Sequence, residues 1–283
     1  MLNLVTTSLS CTTSLPGLMN YDQEILSETP AFAIFSEVLS EFEAISLNET
    51  NQVKLMNRFD TKYCLATDEL ISVLEEIQND YFVLEVDGIR SQEYKSIYYD
   101  TPDDLFYISH HNGRANRMKL RKREYSGSGI AFLEIKHKNN KGKTHKTRIQ
   151  VDGLQTRLTQ TENNFVKEHI PGDIDKLKVK FRTSFRRITL VSKNFDERCT
   201  IDTDLCFTSI GTKPTNCKGF AIIELKRDGR KAHTKLSEVL KQRGVYEQHF
   251  SKYCIGRAMN EADLKHNQFK FMLLKMEKQF AGI

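Results

Sequence analysis

Charged and apolar residues alternate with a period of two along two neighbouring segments, residues 119–125 and 132–138. Because successive side chains of a β-strand point to opposite faces, this alternation predicts two strands. The charged faces carry Lys119, Arg121 and Arg123 in the first strand and Glu134, Lys136 and Lys138 in the second. The stretch 126–129, Ser-Gly-Ser-Gly, is typical of a turn, so the strands are predicted to form an antiparallel hairpin. For this hairpin alone, solvent exposure explains a charged face equally well.

The same alternation recurs along the chain, in segments 58–62, 146–151, 182–186, 198–202 and 223–226. The charged faces favour Arg and Lys, with an occasional carboxylate. In an antiparallel sheet that curls into a barrel, residues alternate between inside and outside. With helices over the apolar outer face, the lumen would be a basic channel containing a few acids. Such a channel favours a polyanion, and its acids suit a divalent cation that bridges it.

Helices are predicted from apolar residues at helical spacing over residues 30–46 and near 263–280, with further starts at Thr234 and Ser251. Strands lie mostly at the two ends of the chain with helices between them, which favours an α+β antiparallel architecture. The adjacent His110 and His111 are predicted to lie on the surface of a turn.

Composition indicates a globular chain, with 283 residues, 39% hydrophobic residues and a net charge of +5. Residues 1–28 are rich in Thr and Ser and are expected to be loose, and residues 29–283 are expected to form a single domain. No run approaches the roughly 18 apolar residues of a membrane helix, and no signal peptide is evident. The six cysteines lack metal-ligand spacing. Cytoplasmic localisation is therefore expected.

Nine short motifs, taken together and in order, resemble the VTC domain, the polyphosphate polymerase branch of the triphosphate tunnel metalloenzymes. They span about residues 53 to 258 and lie at 58–63, 98–101, 119–125, 132–136, 146–148, 182–185, 198–202, 223–226 and 251–253. The resemblance implies an α+β fold, an antiparallel eight-stranded β-barrel tunnel with flanking helices. It also implies transfer of the γ-phosphate of ATP onto a polyphosphate chain, with Mn²⁺ or Mg²⁺ as cofactor.

The resemblance also implies roles for individual residues. The expected catalytic residues are Lys62, Arg121, Arg123, Lys136 and Lys226. The expected phosphate-binding residues are Arg58, Lys119, Lys146, Arg148, Arg182, Arg198 and Lys252. The expected metal ligands are Glu224 and, as a candidate, Glu134. One departure is His249, where a further basic tunnel residue is expected.

Other branches of this superfamily begin with Glu-x-Glu-x-Lys, and the corresponding stretch here is Arg58-Phe-Asp60-Thr-Lys62. A cation in place of the first acid resembles the polymerase branch, whereas Asp60 leaves open a metal-dependent tripolyphosphatase or nucleoside triphosphate phosphohydrolase. A non-catalytic polyphosphate sensor is a third alternative. The expected partners are ATP and inorganic polyphosphate and not nucleic acid, since the basic residues alternate with buried positions. A membrane partner stays open.

Overall fold

The computed structural model describes residues 30–53, 58–172, 174–228 and 234–279. The segment 1–28, expected to be loose, lies outside the described residues. The helices are α1 (Pro30–Ser40), α2 (Thr67–Ile77), α3 (Leu105–His111), α4 (Gln160–His169), α5 (Lys235–Gln242), α6 (Lys252–Asn260) and α7 (Lys270–Gln279), with 3₁₀ turns at Glu49–Gln52 and Asn267–Phe269. Of these helices, none is both long and apolar enough to cross a membrane.

The strands are β1 (Glu43–Ile45), β2 (Arg58–Ala66), β3 (Tyr81–Leu84), β4 (Ser91–Asp100), β5 (Arg117–Tyr125), β6 (Ile130–Lys138), β7 (Thr144–Val151), β8 (Lys178–Ser192), β9 (Glu197–Ser209), β10 (Thr215–Cys217) and β11 (Phe220–Asp228). Eight of them form one continuous sheet in the order β2-β11-β9-β8-β4-β5-β6-β7, with every neighbouring pair antiparallel. The predicted α+β class and eight-stranded antiparallel sheet are confirmed.

The sheet is curled, so that strands far apart in the pairing order face each other. Lys136 on β6 interacts electrostatically with Lys62 on the edge strand β2 and with Glu224 on β11. We refer to the space inside this curled sheet as the tunnel. Among the described residues no hydrogen bonds join β2 to β7, so the sheet is curled like a tunnel but is not a closed barrel.

Helices cover the outer face of the sheet on two sides. Helix α2 buries Leu70, Val73, Leu74 and Ile77 against outward residues of β2, β8, β9 and β11. On the other side, Val166 of α4 packs with Leu120, Leu133 and Ile135. Helix α5 joins the first cluster and begins at a capping box on Thr234, at the predicted position.

Helix α6 lies on the opposite, inner face of the sheet. Its Tyr253 and Ile255 are buried against Tyr98, Phe181 and Phe207 of the sheet. These three residues lie on the inner face, since Tyr98 is aligned with Phe181 and Phe207 with Thr183. Ser251 caps the helix and accepts a hydrogen bond from Lys119 Nζ at 2.8 Å, across the tunnel. Part of the tunnel is therefore filled by apolar side chains of α6, a feature that strand alternation does not predict.

Two predictions of local structure need correction. Helix α1 ends at Ser40 instead of residue 46, because Glu43–Ile45 form a strand parallel to β3. The two adjacent histidines are not on the surface of a turn, since both belong to α3 and His111 is buried. The His111 ring stacks on Tyr107 and meets Phe269 edge-on, so packing against the C-terminal segment buries it.

Gly256 allows α6 to approach the sheet. A Cβ at this position would lie 2.2 Å from Cζ of Phe181 and 2.9 Å from Cγ of Phe207. We predict that Gly256→Ala lowers the free energy of unfolding by about 1–3 kcal/mol through overpacking, as measured by chemical denaturation. Phe181→Leu removes the nearest atom, so the double variant should lose less than the sum of the two single losses. Additive losses would contradict the close approach.

Candidate active site

Strand register decides which charged residues share the tunnel. On β5 and β6, Arg121 lies opposite Glu134 and Lys119 lies opposite Lys136. On the far side of the tunnel, Lys62 lies opposite Glu224 and Lys226 lies opposite Arg198. Because residues two apart on a strand share a face, these positions together place most of the predicted basic residues on one inner surface.

Three carboxylates in the tunnel each lie between two cations. Glu134 accepts hydrogen bonds from Nε and Nη2 of Arg121 at 2.8 and 2.6 Å and pairs with Lys146 Nζ at 2.5 Å. Two further groups repeat this arrangement on other strands. In them Glu224 pairs with Lys62 at 3.2 Å and Lys226 at 3.7 Å, and Asp202 pairs with Arg187 at 2.6 Å and with Lys252.

These cations determine the protonation of the three carboxylates. Burial alone would raise the pKa of Glu134, but Arg121, Arg123 and Lys146 lower it to about 2. The pKa of Asp202 and that of Glu224 likewise lie well below the usual range, since their paired cations outweigh desolvation. All three groups are therefore anionic acceptors at neutral pH.

Arg123 has a different environment. Its Nε donates to Ser96 Oγ at 3.2 Å, and among the described residues the guanidinium forms no ion pair with a carboxylate. Desolvation, with Arg121 and Arg187 nearby, lowers its pKa to about 10. A charged group without a counter-ion in such a site suits an anionic ligand.

Arg123 rests on an aromatic surface formed by Tyr94 and Phe185. The two rings stack with centroids 5.4 Å apart, and the Arg123 guanidinium lies 5.5 and 5.6 Å from them. Arg187 lies over the same rings at 5.0 and 5.2 Å, and Lys252 lies 4.5 Å from the Phe185 ring. Cation–π contacts therefore hold three cations that face the tunnel.

The structure corrects the placement of Arg182. Arg182 pairs with Ile97 on β4, and its side chain is exposed on the outer face of the sheet. The inward residues of β8 are instead Phe181, Thr183 and Phe185, the set that alternates with the predicted charged face, together with Arg187. Sequence reasoning therefore missed Arg187, which alternates with Arg186 and is aligned with Asp202 on β9.

The remaining predicted residues occupy the edges of the site. Arg148 and Lys146 are exposed on the edge strand β7, where the Arg148 guanidinium lies 4.3 Å from the Phe132 ring. Arg58 begins β2, but its side chain lies outside the described part of the structure. His249, the predicted departure, is exposed just before α6.

The carboxylates fit a divalent ion that is also bound by substrate, and not a cage made by protein alone. No cluster of three or more His, Cys, Asp or Glu side chains that could hold a metal exists in the described ranges. Mg²⁺ commonly uses one or two carboxylates together with water and substrate phosphates. Glu224 fits this role because its pairs with Lys62 and Lys226 are longer, whereas Glu134 is buried and held by Arg121 and Lys146.

The family model of the VTC domain matches residues 57–260, which include every strand of the eight-stranded sheet and helix α6. The chain belongs to the VTC domain family. No curated protein matches this chain.

Solved structures resemble this VTC domain at low sequence identity. A candidate adenylate cyclase from Bacillus halodurans is 14% identical, with a TM-score of 0.44, and the match covers 69% of this chain and 94% of that one. A candidate adenylyl cyclase from Hippeastrum, described as having a dominant triphosphatase activity, is 14% identical, with a TM-score of 0.45 and coverages of 72% and 96%. The PH1012 protein from Pyrococcus horikoshii is 13% identical, with a TM-score of 0.35 and coverages of 67% and 91%.

The lowered pKa of Glu134 predicts a defined acid dependence of stability. A carboxyl whose pKa falls on folding, here from 4.5 to about 2, stabilises the fold above the unfolded value and loses that contribution as pH falls toward the folded value. We predict that, as pH falls from about 4.5 to about 2, the free energy of unfolding declines more steeply for the wild type than for Glu134→Gln, as measured by denaturant titrations. Glu168→Gln, an exposed change on α4, should keep the wild-type slope. Equal slopes in all three proteins would contradict the assignment.

Proposed function

We propose that this VTC domain is an ATP-dependent polyphosphate polymerase that transfers the γ-phosphate of ATP to the end of a polyphosphate chain. The observation that carries this proposal is the inner face of the sheet. There, basic side chains from five strands and α6 surround carboxylates that are already ion-paired. Phosphoryl transfer asks for positioning and charge compensation more than for covalent chemistry, and this surface supplies both.

The low pKa of the tunnel carboxylates favours transfer to phosphate over hydrolysis. A general base that activates water works best when its pKa lies near the operating pH. Glu134, with a pKa of about 2, and Asp202 and Glu224, with pKa values well below the usual range, are weak bases. The terminal phosphate of a chain is already anionic, so it needs no base in order to attack.

The proposed step forms one bond and breaks one. An oxygen of the terminal chain phosphate attacks the γ-phosphorus of ATP, and the bond from that phosphorus to the β–γ bridging oxygen breaks. ADP leaves with the electron pair, and the chain is longer by one phosphate. Arg123 would bind the transferring phosphoryl group, since its guanidinium has planar donors and no carboxylate partner among the described residues.

A Mn²⁺ or Mg²⁺ ion would be held by Glu224 together with phosphate oxygens and water. When bound, the ion offsets charge on the phosphate oxygens. Lys62 and Lys226, which pair with Glu224 in this structure, are placed to turn toward phosphate once that carboxylate binds a cation.

The runner-up function is a metal-dependent phosphohydrolase on the same fold. It is favoured by Asp60, an exposed carboxylate on β2 at the register position opposite Lys226. In that reading, Asp60 would help to orient a water molecule. The two functions share a substrate and differ in the acceptor, so the products of ATP turnover distinguish them.

Incubation with ATP and Mn²⁺, followed by ³¹P NMR, tests the proposal. The expected products are ADP and the internal-phosphate signal of chains, and Arg123→Ala should lower turnover by about 10²-fold through loss of one transition-state donor. Arg182→Ala is the matched control, because it removes an Arg from the outer face of β8. It should retain the wild-type rate.

Other outcomes would overturn the proposal. Orthophosphate as the sole product would establish the phosphohydrolase instead, and polyphosphate binding without any turnover would indicate a sensor. Near-normal turnover in a folded Arg123→Ala variant would remove this residue from the site.

Glu224→Gln tests the metal assignment. The Mn²⁺ concentration for half-maximal turnover should rise by at least about tenfold, because an amide oxygen is a weaker ligand than a carboxylate. Glu134→Gln is the contrasting variant: it should lower the maximal rate by disturbing Arg121 while leaving the metal titration in place. If the Mn²⁺ concentration for half-maximal turnover rises in Glu134→Gln and not in Glu224→Gln, Glu134 and not Glu224 is the metal ligand.

A further inference from the structure

One end of the tunnel carries four cations that form no ion pair with a carboxylate among the described residues. Arg117 lies opposite Lys138, and Lys119 lies opposite Lys136, on the inner faces of β5 and β6. In the part of the chain that the structure describes, none of these four side chains forms an ion pair. Within the same described residues, Arg117 donates a hydrogen bond to the Arg114 carbonyl and Lys119 donates one to Ser251 Oγ. We call this group of four the mouth cluster.

The mouth cluster differs from the centre of the tunnel. In the centre each carboxylate balances two cations, as Glu134 does with Arg121 and Lys146. Like charges directly opposite each other on neighbouring strands are destabilising. The mouth cluster contains two such pairs side by side, so an anion that bridges them would relieve an unfavourable interaction that the empty protein retains.

His110 adds an unpartnered polar atom to the same place. It lies on α3, which packs against β5, and its Nδ1 is buried without a hydrogen-bond partner in the described structure. Burial, together with the four mouth-cluster cations, lowers the pKa of His110 to about 2, so the imidazole is neutral when the site is empty. A buried nitrogen without a partner is unfavourable and is stabilised by a ligand that supplies one.

We propose that the mouth cluster and His110 form a second anion site, which binds phosphate units of a polyphosphate chain beyond those held at the centre. The proposal rests on the proposed function for the identity of the ligand. The two cation pairs lie two residues apart along β5 and β6, about 7 Å at the rise of an antiparallel strand, which suits a linear chain of anionic groups better than a single compact anion. Arg117, Lys138 and His110 would then determine preference for chain length, and the central residues would bind the reacting phosphates.

Binding at this site would be coupled to a proton. The charged groups that act on His110 are Arg117 and Lys119 from β5 and Lys136 and Lys138 from β6. From the C-terminal side the uncharged Phe269 ring approaches it, with centroids 6.4 Å apart, and the charge that α6 presents to α3, Arg257, is paired with Asp104 and Glu261. A bound phosphate offsets the four cations and raises the pKa of His110, so binding tightens as pH falls.

The test measures dissociation constants of the full chain for tripolyphosphate and for long-chain polyphosphate by calorimetry, without nucleotide. In the double variant Arg117→Gln/Lys138→Gln, long-chain affinity should fall by about tenfold or more, while tripolyphosphate affinity stays within about twofold. Arg182→Gln, the matched change on the outer face, should leave both affinities unchanged. Thermal denaturation establishes that each variant is folded.

His110→Gln provides an independent measurement. As pH falls toward the raised pKa of His110 in the complex, long-chain affinity of the wild type should rise more than that of His110→Gln, since the variant cannot take up the imidazole proton. Subtracting the pH dependence measured for His110→Gln removes the contribution from protonation of the ligand's own terminal phosphates.

Three results would overturn the proposal. The first is an unchanged long-chain affinity in both the double variant and His110→Gln. The second is an equal loss of affinity for tripolyphosphate and for long chains in the double variant. The third is a loss of long-chain affinity in Arg182→Gln as large as that in the double variant. Failure of the proposed function gives a different result. If the protein makes no polyphosphate from ATP but the double variant still loses long-chain affinity selectively, the second anion site is supported and the polymerase function is not. If ADP and chains form normally but the length dependence is absent, only the second site fails.

Discussion

Ion pairing across neighbouring elements is the constraint on which the inner face depends. Concentrating this many Arg and Lys side chains in an enclosed space is unfavourable unless they are paired and hydrogen-bonded. Glu134 on β6 joins Arg121 on β5 to Lys146 on β7, and Asp202 on β9 joins Arg187 on β8 to Lys252 on α6. Each carboxylate therefore links elements that would otherwise repel each other, which makes a basic tunnel compatible with a stable sheet.

The same pairs prepare the surface for phosphate. A cation held in place by a carboxylate and by an aromatic ring has already lost much of its side-chain freedom, so less entropy is lost when a ligand binds. Arg187 shows this, with Asp202 on one side and the Tyr94 and Phe185 rings beneath it. Phosphoryl transfer depends on positions that are fixed before the reaction, and such anchoring provides them without a base.

The strands and most of the inner face could be predicted from sequence, because a period of two is a direct consequence of strand geometry. Alternation on β5 and β6 correctly groups Arg121 with Arg123 and Glu134 with Lys136. Alternation states which residues share a face, however, and not which face is inside. On β8 that choice is made by α6, which is distant in sequence and buries Phe181 from within the tunnel.

Charged residues alone therefore mislead on β8, where Arg182 is outside and Arg187 is inside. A second irregularity lies on β9, where the register with β8 shifts near Asp204, a residue with φ of 50°. Before the shift the inward residues are Thr200 and Asp202, and after it the inward residue is Phe207. No pattern with a constant period can follow a strand that changes phase in its middle, so the boundary between the polar centre and the apolar part of the tunnel follows only from the paired strands.

That boundary gives the tunnel a direction. Helix α6 fills one side with apolar packing, while the opposite wall, made by β5 and β6, continues the basic surface past the centre to Arg117 and Lys138. Charge is balanced where the carboxylates lie and unbalanced at this end, so a bound polyanion would be drawn from the centre toward the mouth cluster. An asymmetry of this kind distinguishes the two ends of a bound chain although the chain itself is chemically uniform. This direction is a property of the protein, and it results from the positions of Glu134, Glu224 and Asp202 on the sheet.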